Sequence, residues 1–119
     1  MPTYALHVKR LLRTTRPLVP ALWTLEVANV LAVGERRGNL TSDQVARSIG
    51  LVEQLLGETI ETISSVITFR QVLTTARSFR LTAYGAVYLE VSRSEGVPLA
   101  TLDHALRAAA RRAGIELFS

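Results

Sequence analysis

The sequence predicts an α/β domain with a mainly parallel sheet. Three observations point there. Short apolar or β-branched segments at residues 59–64, 97–101 and 115–118 alternate with helical patterns, as in strand–helix–strand units. The 119 residues suit one domain, residues 1–119, and leave little room for two cores. Hydrophobic residues make up 48% of the chain and charged ones 20%, enough to close a core and too apolar for a disordered segment.

Residues 3–15 have the pattern of a short amphipathic helix. Tyr4, Val8, Leu11 and Leu12 share one face, and Lys9, Arg10 and Arg13 the other. It reads as the first surface helix of the fold or, alternatively, as a basic helix on a membrane surface. Residues 16–20 form a break, with Leu18 and Val19 extended between two prolines. Pro20 suits the position just before or at the first turn of the next helix. That helix, residues 21–37, reads ALWTLEVANVLAVGERR and ends on cationic and glycine stop signals at Arg36, Arg37 and Gly38. Thr41, Ser42 and Asp43 cap a further helix whose Val45, Ile49, Val52 and Leu56 lie on one stripe. Residues 59–64, TIETIS, are the best internal strand candidate. A helical pattern returns over 65–79. Thr82 then starts another helix, stopped by Gly96. Residues 97–101 read as a buried strand, Asp103 opens an alanine-rich helix that Gly114 terminates, and residues 115–118 close the chain as a strand.

Composition excludes several classes. With no cysteine there is no disulfide, no thiolate nucleophile and no cysteine-built zinc site. No stretch approaches the roughly 18 uncharged apolar residues of a membrane span. The start, MPTYALHVKRLLRTTR, does not read as a signal peptide. These features fit a cytoplasmic protein. The net charge is +4, and all but one of the 14 basic residues are arginine. Such a surface favours RNA, DNA or an acidic partner, although an arginine-rich composition alone gives the same balance.

Few residues could carry chemistry. Glu26 is the only charge between Arg16 and Glu35, in the apolar run ALWTLEVANVLAV. Burying a carboxylate is costly unless it is paired or bound to metal. Glu26 therefore reads as functional, or as an anion near a helix start, or as a residue facing water. Asn29 is three residues on and shares its face, as part of a polar pocket or as a hydrogen-bonded core asparagine. Asp103 follows PLAT at the carboxyl end of a predicted strand, where open parallel sheets bind ligands. It is also a favoured N-cap, and both roles are compatible. His104 and His7 lack partners for a triad or metal cluster. Gly85 occupies the third position of a helix capped by Thr82, where an acidic residue would suit better and glycine costs roughly 1 kcal/mol, unless close packing against a neighbour calls for it. No phosphate-binding glycine loop is present.

Three segments together resemble the PIN domain of VapC-type toxin ribonucleases: VPALWTLEVANVL (19–31), LTAYGAVYLEVSRSEGVPLATLD (81–103), and the closing ALRAAARRAGIELF. The resemblance covers most of the chain and is weakest over 57–80. It implies a three-layer α/β/α domain with a parallel sheet. It also implies a magnesium- or manganese-dependent endoribonuclease, held by a cognate antitoxin, in which carboxylates bind the metal. By resemblance, Glu26 matches the acid of the family's EVAN helix and Asp103 that of its TLD motif, as catalytic and metal-binding residues. Asn29 and Thr101 match supporting positions.

Two departures accompany it. The family usually begins with a central strand carrying D-[AST]-S, which this sequence does not supply. The family's LTAYD reads LTAYG here, so Gly85 stands at a vacated acidic position. Two of four acids are missing, and two carboxylates hold a magnesium ion loosely. The expectation is weak or absent nuclease activity in a truncated or degenerate member. A sheet without its central strand further implies an abnormal sheet, marginal stability or a homo-oligomer. A non-catalytic module for dimerisation and antitoxin binding, and a metal-independent RNA-binding domain, are the competing readings. Arg36 and Arg37, like Arg111 and Arg112, could meet RNA phosphates or simply end solvated helices.

Overall fold

A computed structural model of the chain describes residues 16–63 and 67–118. The helix expected over 3–15 lies outside them. Contacts divide the chain into two compact units, Met1–Ser64 and Ser65–Ser119.

In the first unit, β1 (Leu18–Pro20) pairs in parallel with β2 (Glu61–Ile63), with Val19 opposite Thr62. The backbone N–H of Glu61 extends the ladder by donating to the carbonyl of Pro17 at 2.9 Å. Parallel partners need a long crossover. Two helices supply it, α1 (Leu22–Arg36) and α2 (Ser42–Glu58). Between them the chain turns on Gly38, at φ +79°, a left-handed conformation that glycine adopts without strain. Gly34 allows the turn to fold back, because a Cβ there would lie 2.7 Å from the Leu40 Cδ1. Helix α2 opens with a reciprocal capping box, Thr41 Oγ1 accepting from Gln44 N at 3.1 Å and Gln44 Oε1 accepting from Thr41 N at 2.8 Å. The core of this unit is shallow. Val19 and Ile60 are buried, but no residue of α1 or α2 is.

The second unit is better filled. Helix α3 (Phe69–Phe79) starts with a second capping box, Thr68 with Gln71, and packs against α4 (Ala83–Glu95). Thr82 caps α4, and Gly96 at φ +66° stops it. Helix α5 (His104–Arg112) then joins two segments that meet in parallel at Leu99 and Leu117. Leu99 N donates to Glu116 O and Phe118 N to Leu99 O, each at 2.9 Å. Leu89, Leu99, Leu106, Ala109 and Ala110 form the core, with Phe79, Leu81 and Leu117 packed around it. The alanines let α5 approach closely, since a longer side chain at either would need space that the core fills.

Helices and caps follow the sequence expectation closely. The sheet does not. The strands expected over 97–101 and 115–118 reduce to a single bridge. Pro98 has no N–H to give to a ladder, and Ala100 faces solvent. Among the described residues the fold is mixed α/β, mostly helical, with a two-stranded parallel sheet.

Leu89 is fully enclosed, at 0% exposure. Leu89→Ala should destabilise the protein by about 3 kcal/mol through lost burial and the cavity left behind. Urea unfolding followed by circular dichroism measures this; a loss under about 1 kcal/mol would show that the second unit does not depend on this core.

Candidate functional site

Asp103 sits on the turn between the bridged segment at Leu99 and α5. Its Oδ1 accepts from Leu106 N at 2.8 Å, the N-cap bond the sequence anticipates. Two further bonds hold the turn. Asp103 N donates to Thr101 Oγ1 at 3.1 Å, and the Arg107 guanidinium donates to Thr101 O at 2.8 Å. Asp103 nevertheless remains exposed. The turn thus fixes a solvent-facing carboxylate at the carboxyl end of a parallel segment, where α/β units bind ligands. Thr101 acts on the backbone of this turn. His104, the first residue of α5, is exposed.

Gly85 is the third residue of α4, and its N–H donates to Thr82 Oγ1 at 3.1 Å. A Cβ built there would meet Thr82 Oγ1 at 3.5 Å and Leu81 Cβ at 3.7 Å, ordinary contact distances. Close packing therefore does not require glycine, and the helix accepts a side chain at this position.

Glu26 and Asn29 lie on α1, in the first unit. Glu26 is half-buried and engaged in an interaction, whereas Asn29 is exposed. Asn29 is therefore not a core asparagine. Arg36 and Arg37 end α1 in solvent. Arg112, by contrast, is tied down. It donates to Phe79 O at 3.0 Å, and its guanidinium lies 5.5 Å from the centroid of the Phe79 ring.

Glu90 is the polar residue that sequence reasoning missed. It is buried on α4, accepts from Thr75 Oγ1 of α3 at 2.5 Å, and faces Arg93 at 3.5 Å. The signal was present, since Glu90 interrupts the apolar run AVYLEV as Glu26 interrupts its own, and Arg93 follows at helical spacing. Its surroundings make it a clamp between two helices. An open cavity of about 330 Å³ is lined by Arg93, Gly96, Pro98, Gly114 and Glu116, and Glu90 is not part of its wall. These residues lead into the two bridged segments, so the cavity opens at their amino ends, whereas Asp103 follows the carboxyl end.

Carboxylate oxygens are the right donors for a hard cation, which takes about six of them, waters included. Their number falls short. Among the described residues no group of three or more His, Asp and Glu side chains could hold a metal ion.

No protein-family model matches the sequence. A search of curated proteins found no match either.

The cap gives Asp103 a measurable structural role. Asp103→Ala should cost about 1 kcal/mol, whereas Asp103→Asn, an equally good cap, should stay within a few tenths. Gly85→Asp should stabilise by about 1 kcal/mol, because it replaces a helical glycine and places an anion in the first turn. Thermal unfolding of the three variants checks both statements. Equal losses for Ala and Asn at position 103 would remove the capping argument.

Proposed function

We propose that the protein is a divergent relative of the VapC-type PIN-domain ribonucleases, with weak or lost RNA-cleaving activity. One observation carries this reading. The aspartate of the TLD motif, Asp103, is an exposed carboxylate held on the turn after a parallel segment, as a catalytic or metal-binding acid of an α/β nuclease would be. The order of elements from α4 through α5 to the final bridged segment supports it. So does Gly85, whose site has room for the acid that the motif LTAYD would carry. On this reading the fold is the three-layer PIN arrangement, and Glu26 supplies the second acid, supported by Asn29. The ligands are magnesium or manganese, RNA and a cognate antitoxin, in a cytoplasmic homo-oligomer. Among the described residues the acids are too few for a firm metal site.

A second reading has its own support. The described residues lack a metal-holding group, while large apolar side chains such as Leu25, Val30 and Phe69 stand in solvent. These suit an interaction module without catalysis, one that retains the surfaces for a partner.

RNA cleavage in magnesium or manganese separates the two. The nuclease reading expects slow or no cleavage by the natural chain and faster cleavage by Gly85→Asp; where the natural chain cleaves, Asp103→Asn should be at least tenfold slower. Because the asparagine preserves the cap, its loss of activity would not reflect unfolding. Equal rates in all three would remove the proposed site. No cleavage by any of them would favour the interaction module, and RNA binding that persists under chelation would point to a metal-independent RNA-binding domain.

A further inference from the structure

Helix α3 packs one side on α4 through the buried Thr75, with Val72, Ala76 and Phe79 partly covered beside it. Its outer side is apolar at one end and cationic at the other. Phe69, Leu73 and Arg77 recur at four-residue spacing, Arg80 follows three residues on, and Arg70 lies three residues before Leu73. All five are exposed, Phe69 at 83% and Leu73 at 45%.

The arginines stand without local counter-charge. No acidic residue occurs in the sequence between Glu61 and Glu90. Among the described residues no ion pair engages Arg70, Arg77 or Arg80. Arg80 ends the helix at φ 55°, a left-handed backbone for which glycine is the unstrained choice. The comparable stops at Gly38, Gly96 and Gly114 do carry glycine. A cation is thus held at the end of this stripe against a backbone cost.

We propose that this face of α3 docks on an anionic lipid bilayer. Phe69 and Leu73 would enter the headgroup boundary, while Arg70, Arg77 and Arg80 meet the acidic headgroups. A short basic helix with an apolar strip lies in the plane of a membrane surface. It does not cross one, since the 11 residues of α3 reach about 16 Å against a hydrocarbon core of roughly 30 Å. Phe69 projects into solvent and rests in no groove, which suits a fluid surface that it can enter more than a partner that must grip it. Unpaired charges of one sign answer the negative potential of anionic lipid, which demands no fixed array of partners. Two apolar side chains and three charges give weak, reversible, salt-sensitive attachment. The inference does not rest on the nuclease reading and needs no metal, RNA or second copy.

Co-sedimentation with vesicles in a chelator, after nuclease treatment, tests it. Vesicles of mixed phosphatidylserine and phosphatidylcholine should bind the natural chain at least tenfold better than phosphatidylcholine alone, and less well in high salt. Arg77→Glu should weaken this binding at least tenfold and Phe69→Ala at least threefold. Phe69→Trp should preserve it, because indole favours the membrane interface. Arg47→Glu, the same charge change on an exposed position of α2, should alter it less than twofold. Circular dichroism should show every variant folded, since all three positions face solvent. The proposal is overturned if anionic vesicles are refused, or if both vesicle types bind equally. It is equally overturned if Phe69→Ala binds unchanged, if Phe69→Trp binds as poorly as Phe69→Ala, or if Arg47→Glu costs as much as Arg77→Glu. Binding seen only before nuclease treatment would assign the face to RNA instead, and a chain that ignores vesicles yet holds polyglutamate through Arg77 would assign it to an acidic protein. RNA cleavage is a separate readout, so either proposal can fail without the other.

Discussion

Parallel pairing constrains this chain more than any other single feature. Two segments running in the same direction cannot be joined by a tight turn, and the connection must travel the length of the pair and pack back on it. The chain meets that demand twice. Between β1 and β2 it uses two helices, and between Leu99 and Leu117 it uses α5 alone. The economy of the second solution rests on small side chains. Ala109 and Ala110 are fully enclosed, so α5 comes close enough for Leu106 to reach Leu89 and Leu99. The first solution lacks such an arrangement. Helices α1 and α2 bury no residue completely and leave Leu25, Val30, Ile49 and Leu51 in solvent. Exposed apolar surface of that kind favours association.

Helix boundaries were legible because capping chemistry is local. Thr41, Thr82 and Asp103 were each identifiable as caps from a few neighbouring residues, and each makes its bond. The stops at Gly38, Gly96 and Gly114 follow from left-handed backbone that glycine alone adopts freely. Strand pairing was less legible because it depends on residues far apart. Residues 97–101 have strand composition, yet Pro98 withholds a donor and the partner segment offers one matching residue. Pattern alone does not reveal how much ladder two short segments will share.

Glu26 and Glu90 show where the reading of a site reaches its limit. Each is a lone carboxylate in an apolar helical run. Glu90 lies at the α3–α4 contact, where the Thr75 hydroxyl and Arg93 offset the cost of its burial. Glu26 is only half-buried. Position along the helix separates them, since Glu90 is flanked by the buried Leu89 and Val91, whereas nothing on α1 is enclosed. Both interrupt an apolar run in the same way, and only packing distinguishes the buried clamp at Glu90 from the half-buried Glu26.

The helix cap does not exhaust the Asp103 carboxylate. An N-cap needs one carboxylate oxygen, and a carboxylate has two, each with lone pairs to spare. The cap also orients the group, and the bonds through Thr101 fix the backbone on which it stands. A capping aspartate on an exposed turn is thus held in one orientation while its second oxygen is not needed for the cap. Gly85 is the counterpart, a capped helix start whose third position has space for a side chain and carries none. Steric need accounts for neither the glycine nor the absence of an acid there. What the two positions share is the first turn of a helix, where partial positive charge favours an anion. At one of them the anion is present and ordered, and at the other the helix start carries glycine.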